Sequence, residues 1–339
     1  MKQELQDLTE GSLVKKILIF SIPLIISNLL QVLFNMADIA VVGQFAGSAA
    51  LGSVGSTTTM VAMFTGFLIG VSSGINVLVA LHYGAKDKEG LSQTVHSALI
   101  VSVIVGIGLM LVGMGCSGGI LRILKTKEEL LDGAVLYIRI YCLGMPAMAV
   151  YNFGNAVFSA VGDTKRPLQY LSLAGILNLV LNLFLVIVCK MDVAGVAIAS
   201  AVSQYLAAIL ILAALFRNKD EYALRMSKMH LNKKKAIAII KIGLPAGMHR
   251  LTIMGFSYCV SAFMDCTIAA SRALGKSLAP TIIVIMGSCV FRIIWVYTIF
   301  AHYHTISSLY LLYVFSWSIT AIAEIIYFAG VYRTNVKIR

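Results

Sequence analysis

The sequence predicts an all-α integral membrane protein. Three observations carry that reading. Apolar runs of about 20 residues, the length a bilayer-spanning helix needs, recur from one end of the chain to the other. Only 12% of the residues are charged, and the mean hydropathy is +0.89. Soluble domains carry roughly 25% charged and about 45–50% apolar residues, whereas 59% of these 339 residues are hydrophobic. A large soluble helical protein is the alternative, but soluble core helices of that length keep a polar face.

Six spans are expected in the first two-thirds of the chain, at 17–42, 51–80, 92–115, 134–160, 168–189 and 193–216. The first is too long for a signal-peptide core and is expected to stay as a span. A hydrophilic stretch follows at 217–235, then an awkward apolar region at 236–270, then two clear runs at 278–300 and 307–330. The expected organisation is an N-terminal six-helix lobe over 1–217, a cytoplasmic linker over 218–235 and a C-terminal transmembrane lobe over 236–339. Region 236–270 is the difficulty. A single crossing there gives nine spans and puts Arg272, Lys276, Arg333, Lys337 and Arg339 outside. Two crossings need roughly 40 apolar residues plus a turn, and this region is shorter and interrupted by His249-Arg250. The expectation is a junction near Met248–Arg250, with a short interfacial or partly inserted helix near 236–248 and one good span near 251–270.

The net charge of +12 does not point to nucleic acid, because the basic residues fall in short inter-helix loops, where they set membrane orientation. Lys15 and Lys16 precede the first span, Lys86 and Lys88 follow the second, Lys165 and Arg166 the fourth, and Arg217 through Lys235 the sixth. These alternate loops put the N-terminus in the cytoplasm. Loop 116–132, with Arg122, Lys125 and Lys127, is the exception. The six cysteines are scattered through apolar segments with no C-x-x-C spacing, so neither a disulfide framework nor a metal site is expected. Five read as buried apolar residues, with Cys116 near an interface.

Polar residues inside the spans are the candidate site. Asn28, Gln31, Asn35 and Asp38 are spaced 3, 4 and 3 apart, on one stripe of the first helix. Asn178 and Asn182, four apart, share a face of the fifth, and Ser200 lies in the sixth. A carboxylate at that depth is costly unless it meets water, a partner or a cation. Amides and hydroxyls there also serve as glue between helices. A hard monovalent cation wants carboxylate, amide and hydroxyl oxygens, and a proton carrier wants a buried titratable carboxyl. Asp265 and Glu324 are further acids in apolar surroundings, with Arg292 as a possible partner.

An internal repeat is present. Val161-Gly-Asp-Thr-Lys-Arg-Pro167 and Leu274-Gly-Lys-Ser-Leu-Ala-Pro280 each follow one apolar helix and open another. The offset that pairs Gly162 with Gly275 and Pro167 with Pro280 also pairs Asn152 with Asp265, and paired halves are a recurrent transporter plan. Gly66, Gly70 and Gly74 form overlapping G-x-x-x-G steps that favour close helix packing. Pro23 and Pro146 are expected to kink their helices. No nucleotide-binding or hydrolase motif occurs, so an enzyme is not expected.

These residues resemble the multidrug and toxic compound extrusion (MATE) family. The resemblance is carried by Asn35-Met-Ala-Asp38 with Val41-Val-Gly43, Gly70-Val-Ser-Ser-Gly74-Ile-Asn, Tyr83-Gly-Ala-Lys-Asp87, Gly162-Asp-Thr-Lys-Arg-Pro167, Asn178-x-x-x-Asn182 and Val193-Ala-Gly-Val-Ala-Ile-Ala-Ser200. Residues 1–248 look like the family's first six helices and the start of its seventh; residues 249–339 look like its tenth to twelfth. The resemblance implies a MATE-like six-helix N-terminal lobe and a truncated C-terminal lobe without most of helix seven or helices eight and nine.

By the same resemblance, Asp38 stands at the family's coupling acid, with Asn178, Asn182 and Ser200 as cation ligands and monovalent Na⁺ as a candidate ion. Gln31, Asn35, Asn152 and Asp265 are candidate cavity residues. The implied function is secondary antiport in the cell membrane, exporting cationic or amphipathic compounds in exchange for Na⁺ or H⁺, with no cofactor and membrane lipids as surroundings. A non-transporting remnant or membrane interaction partner is the alternative. A lipid-linked precursor flippase would want a wide basic cavity, which spans with few basic residues do not supply.

Overall fold

The computed structural model describes residues 37–245, 278–295 and 306–336, with a few isolated positions elsewhere. It divides into two compact units, Met1–Gly247 and Met248–Arg339. Of the described residues, nearly all are helical.

The first unit is a helical bundle. Its described part begins with α1 (37–45), which turns at Gly47, a glycine at φ +85°. There follow α2 (Gly47–Gly84), α3 (Lys88–Ile123), α4 (Glu128–Leu143), α5 (Met145–Ala160), α6 (Lys165–Leu183) and α7 (Asp192–Arg217). A π turn, Phe184–Val188, ends α6. A final helix, α8 (233–245), closes the unit. At 1.5 Å per residue, α2 and α3 are each over 50 Å long, against a hydrocarbon core of about 30 Å. Both therefore project beyond the runs 51–80 and 92–115 that the sequence marks as apolar. Four helices, α2, α3, α6 with its π turn and α7, are long and apolar enough to cross a membrane, and the α4–α5 pair makes a fifth if counted as one span.

The sequence reads α4 and α5 as one span, 134–160. In the structure they are bent by 48°. Pro146 lacks an N–H and ends the α4 ladder at Leu143, with Gly144 at the break. Tyr205 of α7 donates its hydroxyl to the Leu143 carbonyl at 2.9 Å, which satisfies a backbone group at the break.

Because the long helices α2, α3, α6 and α7 are largely apolar all round, packing more than polarity decides which of their faces turns inward. On α2, Thr57, Met60, Phe64, Leu68, Val71, Ile75 and Leu78 are buried at spacings of three and four. Half of the most apolar stretch of α2 and of α7 is buried, but only 22% of that of α3 and 28% of that of α6. So α2 and α7 form the middle of the bundle, and α3 and α6 turn broad apolar faces outward. Gly74 of α2 meets α8, where the Ile239 carbonyl and the Gly243 backbone leave no room for a side chain, and Gly243 in turn lies against the backbone of Gly70 and Val71.

The repeated turn appears as expected at its first copy. Gly162 sits at φ +90°, a conformation natural to glycine, and Pro167 is the third residue of α6. Asp163 pairs with Arg166 at 3.0 Å. Pro280 is likewise the third residue of its helix, while Leu274–Ser277 lie outside the described residues.

The connector after α7 is not a loose linker. Tyr222 and Leu224 are buried in the bundle core. His96 of α3 holds both sides of the chain: its Nδ1 lies 2.7 Å from the Ser92 carbonyl, and its Nε2 accepts from the Arg225 N–H at 3.0 Å. Asn232 accepts from the N–H groups of Lys234 and Lys235, capping α8, while its own backbone N–H donates to Ser97 and its amide to Gln93. Lys235 reaches His82 at 2.7 Å and His82 reaches Asp87 at 2.9 Å. The Asp87 carboxyl, which caps α3 by accepting from the Gly90 N–H, is held below its ordinary pKa by that bond and by His82 and Lys235. The compact-unit boundary thus falls after Gly247, not in the polar stretch 218–235, because the stretch and α8 belong to the first bundle by packing. Helix α8 covers most of 236–248; 251–270 lies outside the described residues.

In the second unit, α9 (Leu278–Ile285), a π turn (Met286–Val290) and α10 (Phe291–Trp295) run on from one another, and α11 (Ile306–Val336) packs beside them. Trp295 stacks on Phe315 at 5.2 Å. Ser316 of α11 donates to the Gly287 carbonyl at 2.8 Å and accepts from Arg292 at 3.1 Å. Glu324, two turns further along the same face of α11, is fully buried.

Of the cysteines with described side chains, Cys142 is buried and Cys116 exposed, as expected. Cys189 is exposed, against the expectation, because it follows the π turn at the end of α6.

Candidate functional site

Asp38, Asn178, Asn182 and Ser200 come from α1, α6 and α7, and the structure brings all four together. Each is at most 8% exposed. The i,i+4 spacing of Asn178 and Asn182 points both amides from α6 toward α1 and α7. Asn182 donates its amide N–H to Asp38 Oδ1 and to Asn178 Oδ1, the latter at 3.2 Å. Ser200 donates to Asp38 Oδ2 at 3.4 Å. The Asn178 amide has two orientations to choose from. In one, its nitrogen faces Ser200 Oγ at 3.4 Å. Turned over, its nitrogen donates to Asp38 Oδ1 at 2.9 Å and its oxygen accepts from the Ser200 backbone N–H at 3.3 Å. An ionised carboxylate only accepts, so it favours the second, in which the Asn182–Asn178 bond is given up and Asn182 donates to Asp38 alone.

Asp38 opens onto a cavity of ≈ 200 Å³ inside the first unit. At ~30 Å³ per water this is room for about six or seven water molecules, less than the ~300 Å³ at which drug-sized pockets begin. Its polar lining includes Thr65 of α2, Tyr137 and Tyr141 of α4, Asn152 of α5 and Gln204 of α7. Tyr137 and Tyr141 stack with ring centroids 5.8 Å apart. Asn152 lines the cavity, with its amide N–H on the Met148 carbonyl at 2.9 Å. Among the described residues, Asn182 Oδ1 and Gln204 Oε1 are buried acceptors without a hydrogen-bond partner. A dry orphan acceptor is costly, and both suit an arriving cation, proton or water.

Gln31, Asn35 and Asp265, the remaining sequence candidates, lie outside the described residues. The tyrosines and Gln204 were missed by sequence reasoning. Tyr137 and Tyr141 carry a usable signal, the four-residue spacing that puts two hydroxyls on one face of a span. Gln204 is four residues from Ser200 and carries the same signal. No group of three or more metal-ligating side chains occurs among the described residues.

Comparison with known proteins follows this geometry. The MatE family model matches residues 23–184. The protein named "Probable multidrug resistance protein YpnP" of Bacillus subtilis (strain 168) is 30% identical over 251 residues, which are 74% of this chain and 56% of that protein. The multidrug export protein MepA of Staphylococcus aureus is 25% identical over 245 residues, 72% of this chain and 54% of MepA. The chain thus spans little more than half the length of the curated relatives it matches. Among solved structures, a MATE protein in the straight conformation superposes with a TM-score of 0.72 at 22% identity, covering 94% of this chain and 72% of that one. An outward-facing multidrug resistance MATE transporter superposes with a TM-score of 0.71 at 21% identity, covering all of this chain and 72% of its own. Residues 23–184 thus carry a MatE domain, and the chain is similar to multidrug and toxic compound extrusion proteins in sequence and in fold.

Proposed function

We propose that the chain is a secondary antiporter of the cell membrane, with its N-terminus in the cytoplasm, that exports cationic or amphipathic compounds in exchange for Na⁺ or H⁺. Asp38 is the coupling carboxylate, and Asn178, Asn182 and Ser200 complete its shell. The observation that carries this reading is the convergence of one acid with two amides and a hydroxyl on a cavity inside an otherwise apolar bundle. The oxygens of Asp38, Asn182 and Ser200 match what a hard monovalent cation takes. A proton on Asp38 would find the same oxygens as acceptors, so the shell serves either ion. Coupling then follows from linkage: an ion that binds one access state more tightly biases the equilibrium toward it, and the substrate biases it back.

Efflux of a fluorescent organic cation from a pump-deficient host tests the reading. The wild-type chain lowers dye accumulation, and Asp38→Asn, which neither titrates nor carries charge, abolishes the effect at equal membrane abundance. Efflux that survives Asp38→Asn unchanged refutes the coupling role. A second reading, a membrane interaction partner without transport, is favoured by one observation: the chain matches only about half the length of its curated relatives. Its signature is no efflux from the wild-type chain, in the presence of a well-folded and abundant protein.

A further inference from the structure

We infer that the connector between α7 and α8 is a contact surface for anionic phospholipid headgroups. The inference rests on the chain spanning a membrane and is independent of transport.

The first observation is depth. The connector is fastened to α3 at His96 and Ser97. Within the stretch 92–115, the run free of charged, amide and imidazole side chains starts directly after His96, at Ser97 and Ala98. At 1.5 Å per residue those anchors stand within about 3 Å of the start of that run along the helix axis. The connector therefore lies at headgroup level and not out in the aqueous phase. The buried Tyr222 and Leu224 hold it there.

The second observation is what this fixed segment turns outward. Arg225, Lys228, Lys233 and Lys234 are all exposed, and among the described residues none of the four is ion-paired. Of the connector's two acids, Glu221 is taken by Lys88 at 2.7 Å and Asp220 is exposed at the α7 end, five residues before Arg225; Lys235 is turned in to His82. Between the free cations stand two exposed apolar side chains, Met226 at 73% and Leu231 at 40% exposure. Cations interleaved with apolar side chains, held at the edge of the hydrocarbon, match an anionic lipid surface: phosphate for the cations, the upper acyl region for Met226 and Leu231. A nucleic acid or an acidic protein would be met by cations out in the water, without apolar groups at bilayer depth.

The test uses the full chain, solubilised with equimolar phosphatidylglycerol and phosphatidylcholine. Lipids retained through size exclusion are quantified by mass spectrometry. The wild-type chain retains phosphatidylglycerol in excess, and the excess collapses at 1 M salt, where the screening length is about 3 Å. Each of Arg225→Gln, Lys228→Gln, Lys233→Gln and Lys234→Gln reduces the excess severalfold, up to about fivefold per charge. Arg122→Gln with Lys125→Gln, in the last turn of α3 and just beyond it at its other end, leaves it unchanged. Equal loss from that control pair means unspecific charge and overturns the proposal. So does retention of the excess when all four connector cations are replaced, or displacement of phosphatidylglycerol by millimolar inorganic phosphate, which would make the site one for the free ion. Should the fourfold variant not fold, the single variants and the salt series on the wild-type chain decide.

Discussion

Asp38 is a carboxylate in a place where carboxylates are expensive, and the groups around it decide what that expense achieves. Asn182 is the most committed of them, fully buried, with its amide N–H on Asp38 and its Oδ1 left without a hydrogen-bond partner. Removing it should therefore do more than remove a contact. Asn182→Ala takes away a donor to an ionised group, worth about 1.5–3 kcal/mol, together with a potential ion ligand. Na⁺ affinity is expected to fall by ten- to a hundredfold with the fold intact, read as a shift in the Na⁺ dependence of efflux or as lost Na⁺ protection against heat. Asn182→Asp, which keeps the oxygens and adds a second acid, should restore an ion response with a changed pH dependence. Much of this site was legible in the sequence. An acid closing a polar stripe, and two asparagines one turn apart, stand out in apolar helices. Tyr137, Tyr141 and Gln204 were not read from it, since aromatic and amide residues in a span are as often packing. Only the arrangement of α4 and α7 around α1 turns them into cavity walls.

At the scale of elements, the contact of α2 with α8 is the most exacting. A side chain placed on Gly74 would meet the Ile239 carbonyl and the Gly243 backbone inside contact distance, and one on Gly243 would meet the backbone of Gly70 and Val71. Backbone cannot move aside as a side-chain tip can. Gly74→Leu is expected to lever α8 away and cost at least the 1–3 kcal/mol typical of overpacking, while Gly115→Leu, with open space around it, should cost little. Thermal unfolding in detergent separates the two, and an equal effect would mean that α8 is not seated on α2. The G-x-x-x-G steps announced a close helix contact, but not its partner. Nor did the sequence show the break at Gly144. Pro146 marked the spot, but not the 48° bend or the Tyr205 hydroxyl that reaches the Leu143 carbonyl from another helix.

For the whole molecule, membrane orientation is the property that everything else assumes. The proposed orientation has Lys165 and Arg166 at the cytoplasmic end of α6, beside a compact turn whose Asp163 is pinned to Arg166. Cysteine placed at the exposed Lys165 is expected to react with an impermeant thiol reagent only in inverted vesicles; reaction from outside intact cells would reverse the orientation. The two-part character of the chain was partly legible. His249-Arg250 breaks the apolar run where the compact units divide. The polar stretch 218–235 misled as a lobe boundary, because a hydrophilic composition does not reveal whether a segment's backbone is left to water or taken up by buried side chains. Here His96, Ser97 and Gln93 take it up.

The π turn that ends α6 carries a consequence for the gene as much as for the protein. A π turn closes its ring one residue later than an α turn, as Cys189 does in bonding back to the Phe184 carbonyl at 3.1 Å. Segment 184–188 therefore contains one residue more than a plain helix needs to cover the same height. That surplus is a tolerated insertion held in the reading frame. It lies after Asn182, so the two asparagines keep their angular position whether or not the extra residue is present. Loss of a single codon within 184–188 should convert the turn to α-helix and leave the protein folded and its ion response recognisable. Loss of one codon within 170–177 should rotate Asn178 and Asn182 by about 100° relative to the preceding helix and abolish both. A codon-deletion scan across α6, scored by protein abundance and by efflux, would mark the π turn as the one tolerant stretch.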